Sequence, residues 1–252
     1  MKRLVVVSLL VLIAAAGLPA GADAAKVMTW NIEDRGSGPA EKGQINQAAR
    51  LIAAARPDVV GLQEVCVADS DKLVARLRSA HDLRYYEQPG SVEDEGMGCA
   101  RGQAILSRRR ILRWYNHVWS PVGGDPERRG YMWIETALAG RRVRVYNTHI
   151  GLWDACTQRR GLRKIARQAA RRPRSVVLGD FNARPGKRCG QPRVIGPLVA
   201  RFREVDRRQN RPTHPREGKI DYVFARGLRV GGAKLFASPA SDHFALMGSV
   251  RR

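Results

Sequence analysis

Acidic residues, cysteines and long apolar runs are all scarce in this 252-residue chain. Asp and Glu total 23 against 45 Lys and Arg, which gives a formal net charge of +22. No apolar run reaches the roughly 20 residues of a membrane-spanning helix, which excludes a protein with several such helices. Hydrophobic residues at 44%, with 25 Gly and 13 Pro, exclude a disordered or collagen-like chain. A chain of this length can bury a core without metals or disulfides.

The basic excess favours an anionic partner, such as nucleic acid or an acidic membrane surface. Of the 45 basic residues, 37 are Arg and 8 are Lys. A chain rich in Arg, Ala and Gly is also what a GC-rich genome produces, whatever the protein binds. Charge alone therefore leaves the nucleic-acid and the compositional interpretations open.

Residues 1–24 have the organisation of a secretory signal peptide. Lys2 and Arg3 precede the apolar run Leu4–Ala16, and residues 22–24 (ADA) match the small-x-small pattern of a cleavage site. We expect a secreted protein, extracellular or in the cell envelope, with a mature domain over residues 25–252. After cleavage we expect no stable membrane insertion and a monomer. An uncleaved N-terminal anchor is the alternative.

The four cysteines lie at positions 66, 99, 156 and 189, and no two have the CxxC spacing of a zinc site. In an oxidising compartment two disulfides are expected. The sequence leaves three possible pairings, and free buried thiols remain the alternative.

Periodicity predicts many strands with three to four helices between them. Helices are predicted over Gly43–Ala55, Asp71–Ser79 and Gln158–Ala170, and buried strands include Asp58–Val65 and Ser175–Asp180. Neither a linker nor a repeat is visible. These features favour a single layered α/β domain.

Polar residues stand at the ends of the predicted strands. They are Asn31, Gln63, Glu64, Asn147, His149, Asp180, Asn182, Asp221, Asp242 and His243. Apolar strands that end in carboxylates, amides and imidazoles suggest that their ends converge on one polar cleft.

This mixture of side chains indicates a metal-assisted reaction at phosphorus. Glu64 and Asp242 offer the hard oxygen ligands that Mg²⁺ prefers, and the metal neutralises charge on phosphoryl oxygens. Asp180 can orient or deprotonate a water molecule, and amides and imidazoles can donate to the phosphate. A carboxylate on one imidazole nitrogen fixes the tautomer, and Asp221 is the candidate for His243.

The motifs WNI, QE, NTH, GDFN, DY and SDH, in this order, resemble those of the endonuclease/exonuclease/phosphatase superfamily, which has the deoxyribonuclease-I-like fold. The resemblance runs from about Lys26 to the C-terminus. It implies an α/β fold, namely a four-layer α/β/β/α sandwich of two packed mixed β-sheets flanked by helices. It also implies divalent-metal-dependent hydrolysis of a phosphate ester.

The resemblance assigns roles to eight residues. Glu64 is the principal metal ligand, with Asn31 and Asp242 nearby, and Mg²⁺ is the expected ion, with Mn²⁺ or Ca²⁺ as alternatives. The implied catalytic residues are His149, Asp180, Asn182, Asp221 and His243. Because the loops after NTH and GDFN are neighbours in this fold, it also favours the pairing Cys156–Cys189, leaving Cys66 with Cys99.

The shared residues do not choose a substrate, but the positive charge favours a nuclease that cleaves DNA or RNA. Candidate phosphate contacts are Arg101, Arg128, Arg129, Arg184, Lys187 and Arg188. The basic cluster on the third helix, at residues 159, 160, 163, 164 and 167, is expected to be a solvated face.

Three other functions stay open: a sphingomyelinase-like lipid phosphodiesterase, an inositol-phosphate phosphatase and a non-catalytic binding module. A lipid enzyme would need exposed aromatic residues, whereas Trp114, Tyr115 and Trp119 are expected to lie in the core. His81, His117 and His214 lie outside every motif and are expected to be surface or packing residues.

Overall fold

The computed structural model describes residues 24–32, 42–91, 101–120 and 129–252. Within these ranges the helices are α1 (Lys42–Ala55), α2 (Val67–His81), α3 (Ala155–Ala170) and α4 (Gly196–Val199). The strands are β1 (Ala25–Asn31), β2 (Val59–Cys66), β3 (Tyr86–Ser91), β4 (Arg101–Ser107), β5 (Arg113–Val118), β6 (Gly130–Leu138), β7 (Arg141–His149), β8 (Ser175–Asp180), β9 (Arg203–Glu204), β10 (Asp221–Arg226), β11 (Arg229–Phe236) and β12 (Ala245–Arg251). The short elements α4 and β9 were not expected from the sequence.

The strands form two mixed six-stranded sheets. The first has the order β11-β12-β1-β2-β4-β3, and the second has the order β5-β6-β7-β8-β10-β9. Each sheet contains one parallel pair, β1 with β2 and β7 with β8. Parallel neighbours need a crossover connection, which α1 supplies in the first sheet and α3 in the second.

Three apolar clusters hold the layers together. Ile52 of α1 packs in a cluster with Leu62 of the first sheet, and Leu162 of α3 packs in a cluster with residues of the second. Between the sheets, Val59 and Leu178 belong to a third cluster with side chains from both. Helices therefore cover the outer face of each sheet, and the predicted four-layer α/β/β/α sandwich is confirmed.

The register of the strands collects the polar motif residues at one edge of the sandwich. Asn31 pairs with Gln63 in the first sheet. In the second sheet Asp180 pairs with His149 on one side and with Asp221 on the other. The carboxyl ends of β1, β2, β7 and β8 thus lie with the start of β10 at the same edge.

A glycine allows the two sheets to approach closely beneath this edge. A Cβ atom on Gly61 would lie 2.1 Å from Leu178 Cδ1 and 2.8 Å from Asn147 Oδ1. Gln63 Nε2 donates to the same Asn147 oxygen at 2.6 Å, and Asn147 Nδ2 donates to the carbonyl of Leu62 at 2.8 Å. Buried hydrogen bonds therefore join the sheets directly below the site.

The predicted core position of Trp114 and Tyr115 is wrong. Their exposed fractions are 56% and 43%. Both lie on β5, the edge strand of the second sheet, which has a neighbouring strand on one side only. Trp119, just beyond β5, is partly buried and packs against Trp153 with ring centroids 5.4 Å apart.

The predicted disulfide between Cys156 and Cys189 is confirmed, with Cα atoms 4.7 Å apart. It ties the start of α3 to the loop after β8. The other predicted pairing includes Cys99, which lies outside the described residues, as do residues 1–23 of the predicted signal peptide. Among the residues described, no helix has the length and apolarity needed to cross a membrane.

Candidate active site

Glu64 reaches the site because β2 is irregular at this residue. The pairing of β2 with β4 shifts between Gln63 and Val65, and Glu64 has a φ of 51°. A bulge of this kind re-aims a side chain that regular alternation would place elsewhere. Asn31 Nδ2 donates to Glu64 Oε1 at 2.8 Å.

Asn31 links the two sheets, because its amide also donates to Asp180 Oδ2 at 3.1 Å. The other carboxylate oxygen of Asp180 accepts the backbone N–H of Asn182 at 2.9 Å. Asp180 is only 1% exposed. Burial, and after it the charge of Asp221, raises the pKa of Asp180 to about 7. This carboxyl group can therefore gain or lose a proton near neutral pH.

Asp221 and His243 form a buried pair beside Asp180, with Asp221 Oδ2 2.9 Å from His243 Nδ1. Burial alone would lower the pKa of His243. The nearby carboxylates, Asp221 above all, outweigh burial and raise that pKa to about 10. The ring is therefore a cation at neutral pH, with Nε2 3.8 Å from Asp180 Oδ2.

The loop that carries His243 is anchored to the end of β1. Trp30 Nε1 donates to the His243 carbonyl at 3.1 Å. The Ser241 hydroxyl donates to the Asn31 carbonyl at 2.7 Å and accepts the His243 N–H at 2.9 Å. These bonds give the imidazole a fixed position relative to Asn31.

His149 lies on the other side of Asp180 and has the opposite charge state from His243. Arg129 NH1 lies 2.8 Å from its Nδ1, and Asn182 Nδ2 lies 3.1 Å from its Nε2. Burial, followed by the nearby cations Arg129, His243 and Arg101, lowers the pKa of His149 well below its usual value. The ring is therefore neutral, with Nε2 3.5 Å from Asp180 Oδ2.

Hydrogen bonds and close polar contacts join all eight predicted site residues. The distances run from 2.8 Å between Asn31 and Glu64 to 3.9 Å between His243 Nε2 and Asp242 Oδ1. The group comprises Asn31, Glu64, His149, Asp180, Asn182, Asp221, Asp242 and His243.

Two of the six predicted phosphate contacts line the site. Arg129 touches His149, and Arg101 NH1 lies 3.6 Å from Glu64 Oε2. Both arginines are largely buried, at 7% and 9% exposure. They place positive charge beside the carboxylates, where a phosphate would otherwise be repelled.

The other predicted contacts lie farther out. Arg184 is exposed and forms an ion pair with Glu217 at 3.2 Å, and Lys187 and Arg188 follow in the same loop. Arg128 lies outside the described residues. On α3 the basic cluster includes exposed side chains, and Lys164 Nζ contacts His117 Nε2 at 2.8 Å.

His214 is a site residue that the motifs did not indicate. Its Nε2 lies 3.1 Å from Asp242 Oδ2, and its ring centroid is 4.9 Å from that of His243. Its 8% exposure agrees with the expectation of a packing residue, and its contact with Asp242 places it beside the candidate site. The only signal in the sequence is its place seven residues before Asp221, which does not reveal how the loop folds back.

The donor atoms fit a hard divalent cation. Glu64, Asn31 and Asp242 supply carboxylate and amide oxygens, which Mg²⁺, Mn²⁺ and Ca²⁺ accept. Among the described residues, ligand atoms also lie within 4.8 Å of one another in two groups, His214 with Asp242 and His243, and Asp180 with Asp221 and His243. Asp242 thus lies on the His243 side of Asp180, and Glu64 lies on the Asn31 side.

Acids, amides and imidazoles thus cluster at one edge of the sandwich, as in a phosphoric ester hydrolase of the family that the sequence matches. The chain belongs to the Endonuclease/Exonuclease/phosphatase family, whose pattern matches residues 28–243. Enzymes of this family depend on divalent metals, and the site offers groups that could hold one.

Solved structures show the same fold. A protein of this family from Beutenbergia cavernae has a TM-score of 0.70 and 22% identity, over 90% of this chain and 71% of its own. A family member from Leptotrichia buccalis has a TM-score of 0.72 and 18% identity, over 90% and 100%. Truncated TDP2 from Caenorhabditis elegans has a TM-score of 0.67 and 18% identity, over 92% and 99%. No curated protein matches the sequence.

Proposed function

We propose that this protein is a secreted, divalent-metal-dependent nuclease that hydrolyses phosphodiester bonds of DNA or RNA. The observation that carries the proposal is the environment of Asp180, a buried carboxyl group between a neutral and a cationic imidazole with two arginines beside them. Such a site combines a proton acceptor, hydrogen-bond donors and positive charge within a few ångströms.

Asp180 has the properties of the base. Its pKa of about 7 lets it accept a proton from water at neutral pH. Asn31 and the Asn182 N–H hold its two oxygens, so the carboxylate cannot rotate freely. Asn182 and Arg129 can donate to phosphoryl oxygens.

His243 has the properties of a proton donor. Asp221 holds its Nδ1 and stabilises the cation, which leaves Nε2 to donate to the phosphate or to the leaving oxygen. His149 is neutral and can offer only a hydrogen bond, so the two histidines have different roles. A bound metal ion, held by Glu64 and Asn31 with Asp242, would neutralise charge on the phosphate.

The substrate assignment rests on charge. The formal net charge is +22, and Arg101 and Arg129 place part of it in the site. Nucleic acid presents phosphates regardless of base sequence, which suits a site whose contacts are cationic. The apolar run near the N-terminus and the disulfide support export.

The test uses the mature chain on plasmid DNA, single-stranded DNA and RNA, with Mg²⁺, Mn²⁺ or Ca²⁺ and with EDTA. We expect metal-dependent cleavage, and we expect Asp180→Asn to lower kcat by about 10²- to 10⁴-fold, because the amide cannot accept the proton. Asp82→Asn is the matched control, since Asp82 is exposed and lies at the end of α2. Full activity of Asp180→Asn, or cleavage in EDTA, would refute the proposal.

A lipid phosphodiesterase is the second candidate, and the exposure of Trp114 and Tyr115 on β5 favours it. Exposed aromatic rings insert readily at a membrane surface. The same preparation is therefore tested on sphingomyelin vesicles. Hydrolysis of sphingomyelin, without hydrolysis of nucleic acid, would replace the nuclease by the lipid phosphodiesterase as the proposed function.

A further inference from the structure

The backbone around His214 is fixed by a tight turn. His214 and Gly218 exchange backbone hydrogen bonds of 2.9 and 3.0 Å, and Gly218 has a φ of 74°, which favours glycine. The Thr213 hydroxyl accepts the N–H groups of Ile220 and Asp221 at 3.1 and 3.0 Å. The turn is therefore tied to the start of β10, and the His214 side chain starts from a defined position.

The hydrogen bonds of the ring determine which nitrogen carries the proton. His214 Nδ1 faces two backbone donors, the N–H groups of Arg216 at 3.2 Å and Glu217 at 2.9 Å. A nitrogen that accepts hydrogen bonds has no proton of its own, so the hydrogen bonds at Nδ1 place the ring proton on Nε2. Nε2–H then donates to Asp242 Oδ2 at 3.1 Å.

This tautomer excludes His214 as a metal ligand. An imidazole binds a metal through an unprotonated nitrogen, and the unprotonated nitrogen here is directed at the backbone. Nε2, the atom near Asp242 and His243, carries the proton. His214 can therefore act on a metal only through Asp242.

We propose that His214 is a positioning residue that restricts Asp242 to ligation through a single oxygen and thereby favours Mg²⁺ over Ca²⁺. The proposal rests on the proposed function, in which Asp242 helps to hold the metal. Oδ2 is engaged by His214, and Oδ1 is the oxygen on the side of the site, 3.9 Å from His243 Nε2.

The selectivity follows from the different coordination of the two ions. Mg²⁺ demands a small, near-ideal octahedron, whereas Ca²⁺ takes more oxygens and often binds both oxygens of one carboxylate. A carboxylate whose second oxygen already accepts a hydrogen bond suits Mg²⁺. The same hydrogen bond deprives Ca²⁺ of one ligand atom. Groups that hold a ligand in this way commonly affect metal affinity about 10- to 100-fold.

The decisive variant is His214→Asn. Its side-chain oxygen can still accept the N–H groups of Arg216 and Glu217, but the shorter side chain does not reach Asp242. Direct calorimetric titration of the full chain with Mg²⁺ and with Ca²⁺ should show a weaker Mg²⁺ affinity and a Mg²⁺/Ca²⁺ affinity ratio lowered about tenfold. His214→Gln, whose amide can donate to Asp242, should restore most of the ratio.

His117→Asn is the matched control, because His117 lies on β5 and contacts Lys164 rather than any acid of the site. The Mg²⁺/Ca²⁺ affinity ratio of the His117→Asn variant should equal that of the natural protein. If His214→Asn leaves the ratio unchanged, or His214→Gln behaves like His214→Asn, the proposal is overturned. Should His214→Asn fail to fold, an unchanged ratio in a folded His214→Phe variant would overturn it equally.

Measurements of metal binding and of cleavage distinguish a failure of the His214 proposal from a failure of the proposed nuclease function. A natural protein that cleaves nucleic acid with metal, together with an unchanged affinity ratio in the variants, would refute only the role of His214. A shifted ratio in a protein that cleaves no nucleic acid would refute only the nuclease. Absence of binding by both ions to the natural protein would refute the inference and the metal-dependent function together.

Discussion

At the scale of single residues, the candidate site places one buried carboxyl group between two imidazoles and gives the two rings different charges. Asp180 lies between His149 and His243, and the two rings differ because cations surround one and carboxylates the other. Position within the sheet therefore determines protonation: the end of β7 lies beside Arg129, whereas the loop before β12 lies beside Asp221.

Glu87, on β3 and away from the site, provides a test of pH dependence. Burial, with a further contribution from Asp71, raises the pKa of Glu87 to about 7, and its Oε1 is buried without a partner among the described residues. The folded state thus holds a proton that the unfolded state releases above about pH 4.3, so stability falls as pH rises toward 7.

We predict that Glu87→Gln stabilises the protein at pH 8 by about 1 kcal/mol, a value reduced because the side chain is partly exposed. The amide stays neutral at every pH, so the gain should vanish near pH 4. Thermal unfolding of both proteins at the two pH values measures it. An equal effect at pH 4 and pH 8 would show that the carboxyl group does not titrate as described.

Residue types at strand ends predicted most of the residues that the structure brings together in the candidate site, because each polar residue interrupts an apolar run. His214 could not be found in this way. It lies in a turn, and its contact with Asp242 depends on how residues 213–218 fold back. The contacts of Arg101 and Arg129 were equally unpredictable, although their positive charge was evident from the sequence. Their proximity to Glu64 and His149 depends on the tertiary structure.

At the scale of elements, the long periodic segments were predictable and the short ones were not. The bounds of β8 agree with the prediction, because a continuous apolar run ends in Asp180. Helix α2 begins at Val67 rather than Asp71, directly after β2. Elements of four and two residues, α4 and β9, contain too few residues to show a period.

The close approach of the sheets at Gly61 gives a second prediction. Gly61→Ala should destabilise the protein by about 1–3 kcal/mol, because the new Cβ would collide with Leu178 and Asn147. Denaturant unfolding measures the loss. Gly43→Ala is the control, since nothing lies within 4 Å of its Cβ and alanine favours the helix. Equal stability of both variants would mean that the sheets can separate without cost.

The disulfide at the start of α3 gives a third prediction. Cys156 and Cys189 are 33 residues apart, so replacing both by Ser should cost about 3–4 kcal/mol on the loop-entropy argument. Thermal unfolding of the double variant, with and without a reductant, measures the difference. A reductant should lower the melting temperature of the natural protein and have less effect on the variant. No change in either protein would show that the bridge does not stabilise the fold.

At the scale of the whole molecule, the net charge of +22 predicts steeply salt-dependent binding. The Asp180→Asn variant, which should bind DNA without cutting it, is titrated at several salt concentrations. Arg101 and Arg129 alone would neutralise two phosphates, so the plot of log affinity against log salt should have a slope of about −2 or steeper. A slope near zero would exclude backbone phosphates as the main contact, and the charge would then reflect composition alone.

The hydrogen bond between Trp30 and the His243 carbonyl spans 213 positions of the chain, and Asn31 meets a loop that is among the last parts to be synthesised. A nascent chain that has not reached residue 243 therefore lacks Asp242 and His243 beside Asn31. The proposed active site is thus assembled only after the last motif has been synthesised and has packed against β1.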